Sequence, residues 1–185
     1  GVNLLFALDE SGSIGQAQWQ TISTSVRDAV VGTGGGDSGP ATPGLIDQFD
    51  GTNVQFDVAI IPFDDNVAAS PFAPASFTLR QSNGTESTSG FVTYMNTFLG
   101  HTPAGGTSWT AALQSAQGFL NTTSFNAAGD LNVMYFITDG NPNTSNWTTL
   151  GGSGTGSLND LFGLDLNAIA IGSSISQNNL VALDS

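Results

Sequence analysis

The chain of 185 residues has a mass of 18.9 kDa, which suits one domain with a single core. Fifteen acidic residues face two arginines, and the net charge of −13 removes the electrostatic basis for binding nucleic acid or an anionic membrane. The absence of cysteine excludes disulfides and thiolate chemistry, and no apolar run approaches the ~18 residues of a membrane span. Because the chain opens directly on a strand-like run with no signal peptide, we expect residues 1–185 to be one domain of a longer polypeptide.

The first half of the chain alternates apolar runs with helical spacing. Residues 3–8 are almost entirely apolar, which is typical of a strand buried on both faces of a parallel sheet. Apolar residues then recur every three or four positions and predict a helix over Gln16–Val31. Glycine-rich residues 32–51 predict a loop, and residues 54–63 predict a second strand. Residues 67–77 contain two prolines, so they fit only an edge strand or a loop.

The second half of the chain repeats this alternation. Apolar runs at residues 133–137 and 164–171 predict two more buried strands. Helical spacing predicts four more helices, at residues 91–99, Trp109–Leu120, Leu158–Phe162 and Gln177–Leu183. Strands that alternate with helices predict an α/β fold, namely a three-layer, doubly wound, Rossmann-like sheet that is mostly parallel and has helices on both faces.

A run of oxygen-bearing side chains follows the first predicted strand. Asp9, Ser11 and Ser13 alternate along the sequence Asp-Glu-Ser-Gly-Ser, just before a predicted helix. Ligands of open α/β sheets bind outside the carboxyl ends of the strands. In a turn, alternate side chains can face one point, and carboxylate and hydroxyl oxygens are ligands of hard cations such as Mg²⁺ and Ca²⁺. The spacing therefore predicts a site for one divalent cation.

Two later loops have positions that match this motif. Thr107 follows two glycines just before a predicted helix, where a lone threonine is otherwise a common helix cap. Asp139 follows the strand predicted at residues 133–137, so its carboxylate is expected at the same edge of the sheet. Each loop alone is a weak signal, but the three in this order are specific. Together they predict a metal site of five side chains: Asp9, Ser11, Ser13, Thr107 and Asp139.

With these motifs the sequence resembles the von Willebrand factor type A family and its metal-ion-dependent adhesion site, over nearly the whole chain. The resemblance implies a mostly parallel sheet with one short antiparallel edge strand. It implies that Ser11 and Ser13 bind the ion directly. It also implies that Thr107 and Asp139 bind it directly or through water, and that Asp9 binds it or holds coordinating waters. In the family, an acidic residue of the partner completes the coordination.

The predicted function is therefore a metal-dependent adhesion module. Its acidity and lack of lysine resemble domains of large bacterial adhesins with calcium-binding repeats of the RTX type. We accordingly expect a secreted domain at a bacterial cell surface, monomeric within a multidomain chain. The expected cofactor is one divalent cation, either Mg²⁺ or Ca²⁺. The expected partner is a protein or glycan that presents a carboxylate or another hard oxygen, and neither nucleic acid nor direct membrane insertion is expected.

Two other functions compete with adhesion. A structural spacer domain, whose ion only stabilises the fold, needs no partner at the site. A metal-dependent hydrolase or phosphoryl-transfer enzyme would want a base and a positive group beside the ion. Neither arginine lies near a motif, and the chain has no Gly-x-Ser-x-Gly elbow and no Walker-type sequence. We therefore expect no enzymatic activity and no catalytic residues.

Four further features lie near the predicted site. Glu10, inside the motif, adds a negative charge that would favour Ca²⁺ or slow an acidic partner. His101, the only histidine, is interpreted as an exposed loop residue. Trp147 lies in a polar loop after Asp139, where it either packs or contacts a ligand. Residues 64–66, Asp-Asp-Asn, are interpreted as a hydrophilic turn rather than a second ion site.

Overall fold

The computed structural model describes residues 1–33, 42–67, 72–122 and 124–184. The strands are β1 (Val2–Asp9), β2 (Phe56–Phe63), β3 (Ala75–Arg80), β4 (Leu131–Thr138) and β5 (Leu164–Ala170). The helices are α1 (Gln16–Val31), α2 (Ser89–Thr97), α3 (Trp109–Leu120), α4 (Leu158–Phe162) and α5 (Gln177–Leu183). Short 3₁₀ helices lie at Ile46–Phe49, Phe98–Gly100 and Asn146–Thr149.

The strands form one mixed sheet in the order β3-β2-β1-β4-β5. β1 pairs in parallel with both β2 and β4, and β4 pairs in parallel with β5. β3 runs antiparallel to β2 at the edge. The predicted fold is therefore confirmed, including the single antiparallel edge strand. Because β1 and β4 are parallel neighbours with Leu8 opposite Ile137, the loops that follow them leave the sheet side by side.

Each face of the sheet carries its own apolar cluster. Leu5 and Trp109 belong to the cluster beside α3, whereas Phe6 and Trp19 belong to the cluster beside α1. Successive side chains of a strand point to opposite faces, so the nearly continuous apolar sequence of β1 supplies both clusters. Both tryptophans are fully buried. This packing on two sides fixes β1 in the middle of the sheet and thereby fixes the position of the loop that follows Asp9.

The edge strand β3 lies later in the chain than the sequence predicts. The predicted segment, residues 67–77, includes residues 68–71, which lie outside the described residues. The observed strand begins at Ala75, directly after Pro74. Proline has no N–H to donate to the sheet, so pairing starts only beyond it. The strand also alternates between half-buried and exposed residues before its buried end, so it lacks the apolar run that identified the other strands.

Other departures from the predicted elements are small. β2 begins at Phe56, two residues later than the pattern suggests. The predicted loop at residues 32–51 contains the 3₁₀ helix Ile46–Phe49, and its residues 34–41 lie outside the described residues. Among the helices that the structure describes, none combines the length and the apolar character needed to cross a membrane.

Candidate metal centre

Asp9 joins the ends of β1 and β4. Its Oδ2 accepts a hydrogen bond from Thr138 Oγ1 at 2.6 Å, and the backbone N–H of Asp139 lies 3.4 Å from the same oxygen. Its Oδ1 accepts from the backbone N–H of Ser11 at 2.9 Å. Burial raises the pKa of Asp9, while the hydrogen bonds from Thr138 and Ser11 act in the opposite direction. Asp9 therefore holds together the two loops that carry Ser11, Ser13 and Asp139.

The two serine hydroxyls of the motif converge on Asp139. Ser13 Oγ donates to Asp139 Oδ1 at 2.7 Å, and Ser11 Oγ lies 3.3 Å from the same oxygen. The two hydroxyl oxygens are 3.0 Å apart. Ser11 is buried, whereas Ser13 is exposed and Asp139 is half-buried. Three side-chain oxygens, from two segments that are far apart in the sequence, thus meet at one solvent-accessible point.

Thr107 closes the site from a third direction. A methyl group added at Gly140 would lie 2.7 Å from the Thr107 hydroxyl oxygen, so this hydroxyl rests against the residue after Asp139. The Thr107 carbonyl also accepts the backbone N–H of Asn143 at 3.1 Å. Thr107 is buried. The structure therefore brings all five predicted residues, Asp9, Ser11, Ser13, Thr107 and Asp139, to one edge of the sheet.

Two glycines let the Thr107 loop approach the loop between β2 and β3. Gly105 has a φ of +90°, and a side chain there would meet the Asp64 carboxylate at 2.8 Å. A side chain at Gly106 would collide with the Asp65 carboxylate. The positive φ at residue 105 favours glycine, whereas at residue 106 a side chain would have to displace the exposed Asp65 carboxylate. Asp64 also accepts the N–H of Asn66 at its side chain, which is the geometry of a turn.

The donor set fits a hard divalent cation. It consists of two carboxylates and three hydroxyls, all oxygen donors of the kind that Mg²⁺ and Ca²⁺ prefer. In the described part of the chain, both arginines are paired with other carboxylates and neither reaches Asp9 or Asp139. No group of three or more His, Asp or Glu side chains among the described residues is arranged to hold a metal. A cation at this edge would therefore depend on the hydroxyls as much as on the carboxylates.

Glu10 and His101 occupy positions that the sequence did not predict. Glu10 is buried rather than facing the ligand side, and its Oε2 lies 2.9 Å from His101 Nε2. Burial, together with the charges of Asp64 and Asp9, raises the pKa of Glu10 to about 7. Burial lowers the pKa of His101, and the charge of Asp64 opposes that shift. The sequence contains a signal for the inward direction of Glu10. Side chains alternate in direction along this segment, so if Asp9 and Ser11 point to one side, Glu10 points to the other.

Trp147 is a core residue. It is 4% exposed, and its ring packs against Trp109 at a centroid distance of 5.0 Å. Of the two interpretations left open by the sequence, packing is the correct one. The 3₁₀ helix Asn146–Thr149 turns the ring inward from an otherwise polar loop. A polar sequence around a single tryptophan does not reveal this, because one residue has no periodicity.

Three solved structures show the same fold as this chain at low sequence identity. The first is proximal thread matrix protein 1 from the mussel byssus, in a structure whose MIDAS motif is occupied by zinc. This chain aligns over its whole length with 39% of that protein (18% identity, TM-score 0.63). It aligns over 96% of its length with 60% of manganese-loaded TRAP from Plasmodium vivax (19%, 0.54). It aligns over 84% of its length with 17% of the pilus adhesin SpaC from Lactobacillus rhamnosus GG (20%, 0.52). This chain has the fold of a von Willebrand factor type A domain.

The likeness extends to the fold but not to the sequence. No protein-family model matches the sequence, and no curated protein matches it by sequence. The chain spans about 40% of the length of the mussel protein, so it corresponds to only part of that molecule. The identities of 14–20% show a shared architecture alone.

Proposed function

We propose that this von Willebrand factor type A domain is a metal-dependent adhesion module. Asp9, Ser11, Ser13, Thr107 and Asp139 hold one divalent cation, Mg²⁺ or Ca²⁺. When bound, the cation supplies a positive charge and a coordination position for an oxygen of the partner. The observation that carries the proposal is the convergence of the two serine hydroxyls on Asp139, beside Thr107 and in front of the buried Asp9.

The side chains have different tasks in this proposal. Asp9 uses both carboxylate oxygens to hold Thr138 and Ser11, so it mainly positions the loops. Ser13 is exposed and Asp139 is half-buried, so both lie nearer the solvent than the buried Asp9. Because few carboxylates are free to neutralise a bound cation, an incoming carboxylate gains a strong charge-assisted contact. Partner binding is therefore expected to disappear when a chelator removes the cation.

The setting we propose is extracellular, within a large bacterial adhesin of the RTX type. The neighbours support the extracellular part of this setting, because one is a thread matrix protein of the mussel byssus and another is a pilus adhesin. The zinc and manganese in two of the neighbouring structures support a divalent cation at the corresponding edge. The partner is a protein or glycan that presents a carboxylate or another hard oxygen. The domain is a monomer within its multidomain chain and contacts neither nucleic acid nor the membrane interior.

We further propose that the domain is not an enzyme. Phosphoryl transfer needs a positive group at the transferring phosphate, yet Arg80 is paired with Asp50 and Glu86. Hydrolysis needs a base near the reacting atoms, yet His101 contacts the inward-facing Glu10. Turnover of a generic phosphate ester by the wild type, lost in Asp139→Asn, would contradict this.

Titration calorimetry with Mg²⁺ and with Ca²⁺ tests the site directly. We expect the wild type to bind at least one of the two ions with one-to-one stoichiometry. Asp139→Asn and Ser13→Ala should each weaken binding by about tenfold or more, because the first removes a negative charge from the donor set and the second removes a hydroxyl oxygen. Asp165→Asn is the matched control, since it removes the same charge from an exposed position on β5. Equal binding by Asp139→Asn and Asp165→Asn would overturn the site.

Adhesion is separated from a spacer role by adding a partner. Surfaces coated with a glutamate-containing peptide or with a sialylated glycan are probed with the domain, with and without chelator. An adhesion module binds at least one surface, and both chelator and Ser13→Ala abolish that binding. A cation that raises the melting temperature without retention on either surface would support the spacer role instead.

A further inference from the structure

Glu10 and His101 form a buried contact directly behind the candidate metal site. Glu10 is 4% exposed although it lies between Asp9 and Ser11 in the sequence. Its Oε2 lies 2.9 Å from His101 Nε2, at ion-pair distance but without the alignment of a hydrogen bond. Within the described residues, neither atom has another hydrogen-bond partner. A buried polar atom without a polar partner lowers the stability of the fold. Each of these two atoms therefore depends on the other as its polar partner.

The His101 ring is held in place by aromatic neighbours. It lies 4.4 Å from the ring of Phe72 and 5.8 Å from the ring of Trp19. Trp19 is fully buried in the core beside α1, and it also packs against Phe98 just before the loop. These contacts hold His101 against the buried core. The contact with His101 in turn holds Glu10 in place.

The same two segments are joined by their backbones. Ala104 N donates to the carbonyl of Glu10 at 2.9 Å, and Gly12 N donates to the carbonyl of Gly105 at 3.0 Å. Residues 9–15 and 100–108 are all described, and one polar side-chain contact joins these two segments: that of Glu10 with His101. The segment after His101 has no helix or strand of its own until α3 begins. The end of this segment is held separately, by the hydrogen bonds from Asn143 N to the Thr107 carbonyl (3.1 Å) and from Ser108 N to the Asp64 carbonyl (2.7 Å). The contact of Glu10 with His101 and the two backbone hydrogen bonds above fix the part of the segment that leads to Thr107.

We propose that Glu10 and His101 are a positioning pair that sets the Thr107 hydroxyl against the serine motif without touching the cation. This inference rests on the proposed function. A metal ligand must lie within about 0.2 Å of its proper distance, so a small shift of the loop removes Thr107 from the donor set. Groups that orient metal ligands without touching the ion typically change metal affinity by about 10–100-fold.

Two substitutions of His101 separate positioning from packing. His101→Phe keeps a ring against Phe72 and Trp19 but removes the nitrogen that faces Glu10. His101→Gln loses the ring but places an amide N–H within reach of Glu10. Neither change removes a carboxylate from the surroundings of the cation. Positioning predicts that His101→Phe loses about tenfold in affinity for Mg²⁺ or Ca²⁺ and that His101→Gln stays close to the wild type. Simple ring packing predicts the opposite order.

The measurement is calorimetric titration of each variant with Mg²⁺ and with Ca²⁺, beside melting temperatures in chelator. We expect His101→Phe to melt near the wild type in chelator, which shows that its lower affinity is not a folding defect. Ser13→Ala is titrated in the same series. If the wild type binds, Ser13→Ala is weakened and His101→Phe equals the wild type, the positioning pair is wrong while the metal site stands. If the wild type binds neither ion, the metal site and the positioning pair both fail.

Discussion

Gly140→Ala is expected to remove the Thr107 hydroxyl from the metal site while leaving the fold intact. Gly140 follows Asp139, and it is not among the glycines of the described chain with a positive φ. An alanine backbone is therefore unstrained there. The added methyl, however, would lie 2.7 Å from the Thr107 hydroxyl oxygen and 3.5 Å from the Thr107 Cβ and Cγ2. The only severe conflict is with the oxygen that we propose as a ligand.

The size of this conflict sets the expected effect. Ordinary van der Waals contact begins at 3.4 Å, so the methyl is about 0.7 Å too close to the hydroxyl oxygen. A metal ligand tolerates a displacement of only about 0.2 Å. Thr107 must therefore rotate or shift, and either movement takes its oxygen out of the donor set. We expect a loss of about 10–100-fold in cation affinity, which is about 1.4–2.8 kcal/mol.

The assay is titration of the variant with Mg²⁺ and Ca²⁺, together with thermal unfolding in chelator and in excess cation. Gly154→Ala is the matched control, because a side chain there meets nothing within 4 Å. We expect both variants to melt like the wild type in chelator, with a smaller rise on adding cation for Gly140→Ala alone. Affinity within twofold of the wild type for Gly140→Ala would refute the placement of Thr107 in the donor set.

Three further outcomes are expected. Burial raises the pKa of Asp57, so its negative charge lowers the stability of the folded state at pH values above that pKa. This loss of stability disappears below the ordinary pKa of 3.8, where the group is protonated in both the folded and the unfolded state. Asp57→Asn should therefore unfold at higher urea than the wild type at pH 7, and the difference should vanish near pH ~3. Gly118 lies inside α3 with open space around it, so Gly118→Ala should raise the free energy of unfolding by about 0.5–1 kcal/mol, whereas a fall would show hidden crowding. Trp147→Ala should cost about 3–5 kcal/mol in denaturant titrations, and an unchanged midpoint would contradict its burial.

Much of the fold follows from local sequence. The bounds of α1, α3, α4 and α5 agree with those predicted, because their apolar residues recur at helical spacing and their ends are marked by small or polar residues. The central strands were equally clear, since strands buried on both faces need nearly continuous apolar sequence. The edge strand β3 was misplaced for the converse reason: an edge strand packs on few sides, so its sequence is under weaker apolar constraint.

The candidate ligands could also be named from sequence. Asp9 and Asp139 end or directly follow apolar runs, and parallel strands bring such positions to one edge. Ser11 and Ser13 share the alternation that begins at Asp9. Their proximity could only be expected from the sequence, because the pairing of β1 with β4 is a contact between residues far apart in the chain.

Only the tertiary structure decided where Glu10, His101 and Trp147 point. Glu10 contacts a histidine from the loop between α2 and α3, and Trp147 packs against the first residue of α3. Neither partner is near in sequence. Local patterning decides which residues form helices and strands, because those hydrogen bonds join close neighbours. The direction of a loop side chain is decided by the space that distant elements leave for it, and that space exists only once the core has packed.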